Sequence, residues 1–184
     1  MNSGAVPASR EVSTCAVELL QLGWEAFRSQ DRGPLGAAER LMRDLHRAHV
    51  VEQGALPGTV RSLLDLLATV RTMLDEEVPL TERAVREINS LFEKGIELLE
   101  CLRDALVTRN RVLVRHIIGS GIQFAQLAKD YAMAHQQRLL AGVCHPRASS
   151  VYLEMLEELK DLEGHIRQIA QQLALRHASS SRLH

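Results

Sequence analysis

Residues 152–173 of the chain read YLEMLEELKDLEGHIRQIAQQL, and this stretch decides the fold. Its apolar positions recur at alternating steps of three and four residues, which places their side chains along one face of an α-helix. These positions are Tyr152, Met155, Leu159, Leu162, Ile166, Ile169 and Leu173. The stretch therefore predicts a long C-terminal helix that packs lengthwise against other helices in a bundle.

The composition of the whole chain supports an all-α fold. Only 3% of the 184 residues are aromatic, and Leu, Ala, Val and Ile supply the apolar content. A β-sandwich would need more Tyr, Phe, Val and Thr in short alternating runs. The length allows one compact domain or two small ones, and it is sufficient to bury a core.

Charge and cysteine content exclude several classes of protein. The net charge of -1, with acidic and basic residues intermixed, gives no electrostatic footprint for nucleic acid. Residues 1–10 lack the apolar core of a signal peptide, and no window has the length and apolar character of a membrane span. Three widely separated cysteines, Cys15, Cys101 and Cys144, suggest neither disulfides nor a paired-cysteine metal site. We expect a soluble cytoplasmic protein whose thiols are small core or near-surface groups.

Six helices are predicted from the apolar periodicity and from the residues that start or end helices. A flexible lead-in over residues 1–11 precedes a first helix that starts near Ser13 or Thr14 and ends before Gly33. The second and third helices cover about 35–51 and 59–77. Thr81 is the predicted N-cap of the fourth helix, which ends near residue 108, and Asn110 lies in the turn to the fifth, at about 112–140. The sixth follows Pro146, and residues 177–184 form a flexible tail.

The order of helices and joints repeats within the chain. Ala48-His49, Gly54, Pro57 and residues 63–67 correspond to Ala134-His135, Gly142, Pro146 and residues 152–156. We therefore predict two tandem three-helix bundles, at residues 12–78 and 79–176, which share one extended interface in an elongated all-α protein.

Three segments of the second half resemble the closing signature of PhoU-like domains. They are His-Gln-Gln-Arg-Leu-Leu-Ala-Gly at 135–142, Ser-Ser-Val-Tyr-Leu-Glu-Met-Leu at 149–156 and Leu-Lys-Asp-Leu-Glu-Gly-His-Ile at 159–166. The similarity is greatest to the cytoplasmic C-terminal region of bacterial sodium/phosphate cotransporters, and it is clear over about residues 85–173. The residues that carry the signature are His135, Arg138, Tyr152 and His165.

This resemblance implies a regulatory domain associated with phosphate uptake. Such a domain is not an enzyme, and it acts by contact with a membrane phosphate transporter or with the transporter's signalling partner. Its location would be cytoplasmic, with membrane association through the transporter. The alternative is a helical oligomerisation or scaffold module, in which the apolar surface left between the units pairs with a second copy as a homodimer.

The family pattern includes carboxylate pairs four residues apart, which supply hard oxygen ligands to a metal cluster. In this chain a cation replaces at least one carboxylate at each of the four places, and a cation beside a metal ion costs Coulomb energy. We therefore expect no metal cluster and no cofactor. The aligned positions are Glu39 and Arg43, Arg71 and Asp75, Ala125 and Lys129, and Lys160 and Gly164.

The four cations suggest two alternatives. Either they form a face that binds an anion or a partner, or they belong to an ordinary solvated charged surface. In the second case Glu39 pairs with Arg43, and Arg71 with Asp75, within their own helices. The cations are Arg43, Arg71, Lys129 and Lys160. Two further carboxylate pairs, Glu100 with Asp104 and Glu157 with Asp161, have ligand-compatible spacing but are explained by solvent exposure.

The histidines suggest other classes of protein. No Glu is followed three residues later by His, which excludes the di-iron bundle pattern, and no zinc-protease motif occurs. A histidine phosphotransfer domain remains an alternative, in which an exposed His135 near Arg138 accepts a phosphoryl group. For His165 we expect a capping or inter-helix hydrogen bond, and for His46 and His49 surface or boundary positions.

Overall fold

The structure, a computed structural model, describes residues 5–47 and 56–180. In these two ranges the chain forms six α-helices and no strand, so the predicted all-α bundle is confirmed. The helices are α1 (Ala5–Ser29), α2 (Gly33–Arg47), α3 (Pro57–Asp75), α4 (Glu82–Thr108), α5 (Arg111–Leu140) and α6 (Pro146–Ser180).

Two predicted boundaries are wrong, both at the ends of the chain. Helix α1 begins at Ala5, not near Ser13, so most of the predicted lead-in is helical. Pro7 is compatible with this start because it lies in the first turn, where backbone N–H groups have no partner within the helix. Helix α6 continues to Ser180, into the predicted tail. The predicted end of the second helix at residue 51, together with His49 and Gly54, lies outside the described residues.

Capping side chains fix the starts of α4 and α5, and Thr81 is the N-cap that the sequence predicts. Thr81 Oγ1 accepts a hydrogen bond from the Ala84 amide at the start of α4. Asn110 Oδ1 accepts from the Val112 amide at 2.8 Å at the start of α5. Each cap satisfies an amide that would otherwise lack an intrahelical partner.

The helices are joined in a simple order. Helix α1 packs against α2, α3 and α4, while α6 packs against α3, α4 and α5, and α4 also contacts α5. The first three helices therefore meet the last three through two contacts, α1 with α4 and α3 with α6. One apolar core runs through all six helices. The α6 seam contributes buried Tyr152, Met155, Leu159, Leu162 and Ile166, with Ile169 and Leu173 partly buried against it.

The α1–α4 contact is reciprocal, as an internal repeat requires. A Cβ placed on Gly95 would lie 3.3 Å from Leu20 Cδ2, and one placed on Gly23 would lie 3.9 Å from Phe92 Cε1. Gly23 and Gly95 are separated along the chain by the same number of residues as Leu20 and Phe92. Leu20 of α1 therefore packs beside Gly95 of α4, and Phe92 of α4 packs beside Gly23 of α1, at equivalent positions of the two helices.

Among the described residues, none of the helices has both the length and the apolar character needed to cross a membrane.

Helices α5 and α6 approach closely at Gly121. The Glu163 carboxylate occupies the space that a side chain at Gly121 would need, and it is buried, with only 2% of its surface exposed. Arg167 Nε donates to Glu163 Oε1 at 2.8 Å and holds it there. Gly119, two residues earlier, faces open space.

We expect opposite effects from alanine at these two glycines. Gly121→Ala should lower the free energy of unfolding by about 1–3 kcal/mol, because the new methyl displaces Glu163 and breaks its bond to Arg167. Gly119→Ala should raise it by about 0.5–1 kcal/mol through helix propensity alone. Urea denaturation of the two variants measures both effects. Equal effects of the two substitutions would contradict the close approach at Gly121.

Candidate functional site

Three of the four signature residues meet at a buried polar cluster between α4, α5 and α6. His135 and Arg138 reach it from the last turns of α5, and Tyr152 reaches it from the second turn of α6. The residue that joins them is Glu87 of α4, which the sequence analysis did not identify. The fourth signature residue, His165, lies elsewhere.

Glu87 is saturated with hydrogen bonds. Its side chain is only 7% exposed. Arg138 donates through Nη1 to Oε1 at 3.2 Å and through Nη2 to Oε2 at 2.8 Å, a bidentate pair. Tyr152 Oη donates to Oε2 at 2.5 Å, and Arg83 Nε donates to Oε1 at 2.9 Å. Each oxygen of the carboxylate therefore has two donors, from three helices.

His135 is neutral in this arrangement. Its ring stacks on Tyr152 with a centroid distance of 4.3 Å, and only 2% of the residue is exposed. Arg138 Nη2 lies 3.3 Å from Nδ1, and because a guanidinium can only donate, Nδ1 accepts and the proton is on Nε2. Burial, and next the positive charge of Arg138, lower the pKa of His135. The ring thus has no free lone pair for a metal ion.

The charges of the other members follow from the same contacts. Burial alone would raise the pKa of Glu87, but the hydrogen bonds from Arg138, Tyr152 and Arg83 outweigh it and lower that pKa. Burial and the hydrogen bond to Glu87 raise the pKa of Tyr152. Glu87 is therefore an anion between two cations, and Tyr152 keeps its proton.

The joint between α5 and α6 aligns this cluster. Gly142 has a left-handed φ of 70°, and the amide of Val143 donates back to the Arg138 carbonyl at 3.0 Å. This is a glycine-terminated helix end, in which the C-terminal carbonyls are satisfied by the following residues. Cys144 follows it and is buried, and its thiol is one of the groups that raise the pKa of Arg138, after Glu87. The Gly/Cys/Pro break thus ends α5 where Arg138 can reach Glu87.

One signal in the sequence could have identified Glu87. Ala84, Ile88 and Leu91 belong to the apolar stripe of α4, and Glu87 occupies that stripe as its acidic member. A carboxylate on a buried helix face requires a partner. The basic residue of the His135-x-x-Arg138 segment is such a partner, but its distance in space could not be read from spacing.

The four cations of the predicted docking face lie on four different helices. Arg43 on α2 and Lys129 on α5 are exposed, and these two helices make no extensive contact within the described ranges. Lys160 pairs with Glu157 at 2.5 Å. Arg71 pairs with Glu39 of α2. Two of the four cations are therefore paired with carboxylates, and the predicted docking face stays a prediction.

The ion pairs predicted within α2 and within α3 are replaced by pairs between elements. Glu39 binds Arg71 instead of Arg43, and Asp75 binds Arg32 at 3.1 Å instead of Arg71. The reason is geometric, since a partner on a neighbouring element can approach a carboxylate more directly than a side chain one turn away.

The remaining candidates have structural surroundings. The His165 ring packs on Gly58 at the start of α3, where its Nδ1 lies 2.6 Å from the position of an added Cβ. This is an inter-helix packing contact and not the hydrogen bond that was predicted. His46 is exposed, and its Nδ1 lies 2.8 Å from the Met42 carbonyl. His49 lies outside the described residues. Asp104 is paired with Arg103 at 3.0 Å.

The cysteines and carboxylates leave no metal centre in the described part of the chain. No group of three or more His, Cys, Asp or Glu side chains there could hold a metal ion. The three cysteines are free thiols, two partly buried and one buried, as predicted. Burial, and then neighbouring carboxylates, raise the pKa of Cys15 and of Cys101, which keeps these thiols protonated.

We expect substitution at the cluster to be costly. Glu87→Gln should lower the free energy of unfolding by about 3–5 kcal/mol, because it leaves Arg138 buried without a counter-ion. Tyr152→Phe should cost about 1–3 kcal/mol through the lost hydrogen bond to Glu87. Glu157→Gln is the control, since its ion pair with Lys160 is exposed and should be worth less than about 1 kcal/mol. Denaturant unfolding tests this ranking, and a Glu87→Gln protein as stable as the control would contradict it.

Comparison of the chain with protein-family models, with curated proteins and with solved structures finds no match. Its function must therefore be inferred from its own residues and fold.

Proposed function

We propose that this chain is a PhoU-like regulatory domain that acts by protein contact at the cytoplasmic side of a phosphate transporter. The observation that carries the proposal is the meeting of His135, Arg138 and Tyr152 at Glu87. These residues belong to the segments that resemble the family signature. Their meeting in one cluster offers a structural explanation of why they occur together in that signature. The reciprocal α1–α4 contact adds support, because two equivalent three-helix units are what the resemblance implies.

The chemistry of the cluster favours a role without catalysis. Its carboxylate has no free hydrogen-bonding position, its tyrosine keeps its proton, and its histidine is a buried neutral ring whose Nδ1 is contacted by Arg138. A general base or nucleophile needs an accessible lone pair of suitable pKa. The same burial argues against phosphotransfer at His135, because a 2% exposed imidazole cannot meet a phosphodonor protein.

The surface that we assign to partner contact runs along the outer face of α5. We call it the α5 stripe, and its apolar members Ile122, Met133 and Leu140 are 58%, 51% and 89% exposed. They follow each other at steps of eleven and seven residues, which keeps them on one side of the helix. Arg115 and Lys129 lie between and beside them on the same side and are also exposed. Exposed apolar residues aligned in this way are typical of a protein contact.

In two registers, charge opposes the pairing of the α5 stripe with a second copy of this chain. In an antiparallel pairing centred on Ile122, Arg115 of one copy would face Lys129 of the other. In a parallel pairing, Lys129 would face Lys129. Both place like charges together, which opposes association. A partner helix with apolar residues at helical spacing and with carboxylates opposite Arg115 and Lys129 fits the stripe instead.

A binding experiment tests this proposal. The purified chain is mixed with membranes that contain a bacterial sodium/phosphate cotransporter lacking its own PhoU-like region, and both binding and phosphate uptake are measured. We expect saturable binding and altered uptake. The double substitution Ile122→Asp, Met133→Asp should weaken binding by more than about tenfold, because it places carboxylates on the apolar contact.

Leu64→Asp is the control, since Leu64 is 39% exposed on α3 and lies off the stripe. It should bind as the unchanged protein does. Absence of binding by the unchanged chain would contradict the transporter proposal. A stable homodimer in solution that the double substitution dissociates would instead support the oligomerisation module.

A further inference from the structure

Glu158 lies at the contact between α3 and α6, which joins the first three helices to the last three. Its Oε1 accepts a hydrogen bond from Thr69 Oγ1 at 2.7 Å, and the Thr69 residue is 4% exposed. Its Oε2 is buried and has no hydrogen-bond partner. The carboxyl group thus has one neutral donor for two oxygens.

The charged groups around Glu158 are carboxylates. Asp65 of α3 and Glu154 and Asp161 of α6 all act on it electrostatically. Within the described residues, no cation lies within ion-pairing distance of Glu158. Arg61, one turn before Asp65, pairs with that residue at 3.9 Å, and Lys160 pairs with Glu157.

The other neighbours of α6 supply no charge that could compensate. On the side of α5, Glu163 is bound by Arg167, and on the side of α4, Glu87 is bound by Arg138 and Arg83. The α1–α3 contact places Gly23 against the apolar Leu67. An ionised Glu158 would therefore be a partly buried negative charge among other negative charges.

We propose that Glu158 makes the α3–α6 contact sensitive to protons, so that neutral Glu158 supports the joining of the two halves and ionised Glu158 weakens it. The position suits this role. Thr69 and Glu158 are equivalent residues in the repeat that aligns Leu63 with Tyr152, so they meet where α3 and α6 cross. A charge that appears there acts on both halves together.

The direction of the effect follows from the pKa. Burial, opposed by the Thr69 hydrogen bond and reinforced by the neighbouring carboxylates, raises the pKa of Glu158 from its ordinary 4.5 to about 7. A raised carboxyl pKa means that the folded state binds the proton more tightly than the unfolded state. The stability contributed by Glu158 is therefore fully present below pH 4.5 and is lost as the pH rises through about 7.

Unfolding measured as a function of pH tests the proposal. Between about pH 5.5 and about pH 8 the unfolding equilibrium constant of the unchanged protein should rise on the order of tenfold more than that of Glu158→Gln. In thermal unfolding this corresponds to roughly 3–5 °C of additional decrease in Tm. Glu157→Gln, which removes one exposed carboxylate beside it, should keep the pH dependence of the unchanged protein. The comparison of the two proteins cancels the contributions of all the groups that they share.

A second variant, Thr69→Val, should change the pH at which the stability is lost and not only the size of the loss. Thr69→Val removes the hydrogen bond that favours the ionised carboxylate, so the loss of stability should shift to higher pH. Hydrogen exchange locates the effect: at about pH 8, amides of α3 and α6 near Thr69 and Glu158 should exchange faster in the unchanged protein than in Glu158→Gln, and those of α2 should not. Two outcomes would overturn the proposal. One is that the stability of the unchanged protein and of Glu158→Gln depends on pH in the same way. The other is that Thr69→Val loses stability at the same pH as the unchanged protein.

Discussion

The second half of this protein depends on one buried ion pair, that between Glu87 and Arg138. It brings α4 to the end of α5, and Tyr152 extends the same bonds to α6. A carboxylate at 7% exposure is costly unless donors surround it, and here four hydrogen bonds do so. The α5–α6 joint ends α5 where Arg138 can reach Glu87, and the first turns of α6 bring Tyr152 to the same carboxylate. His135 stacks on Tyr152 beside them. A displacement of any of the three helices would leave a buried charge without its partner.

In the described residues of the first half, 5–47 and 56–78, no network equivalent to the Glu87 cluster is present. In the alignment that matches Gly23 with Gly95, Cys15 is the counterpart of Glu87. In the alignment of the third and sixth helices, Leu63, an apolar residue, is the counterpart of Tyr152. Two of its described ion pairs, Glu39 with Arg71 and Arg32 with Asp75, are on the surface and join neighbouring elements there. The Glu87 cluster requires its donors on α5 and α6 to stay within reach of the carboxylate on α4, which restricts how these three helices can be oriented.

Much of this fold could be predicted from the sequence, because its main signals are local. The α6 seam, the cap Thr81, the turn at Asn110 and the break at Gly142 depend on residues within a few positions of each other. The partners of Glu87, Glu39 and Asp75 could not be predicted, because each lies on another element and its choice depends on how the helices pack. The start of α1 was also missed, since its first turns are small and polar and carry no apolar period. For the candidate site, the segments that carry the family resemblance contain His135, Arg138 and Tyr152 but not the carboxylate that unites them.

Three buried carboxylates show how donors decide charge in this molecule. Glu87 has three donor residues, two of them cationic, and its pKa is lowered despite burial. Glu163 has one cationic donor, Arg167, and burial prevails to raise its pKa. Glu158 has one neutral donor and only carboxylates as charged neighbours, and its pKa is raised furthest, to about 7. Because Tyr152 and Glu158 are both on α6, that helix is bound to α4 and α5 by a charge that persists at neutral pH and to α3 by a group that titrates there. Proton concentration near neutrality therefore acts on the contact between the halves and leaves the Glu87 cluster ionised.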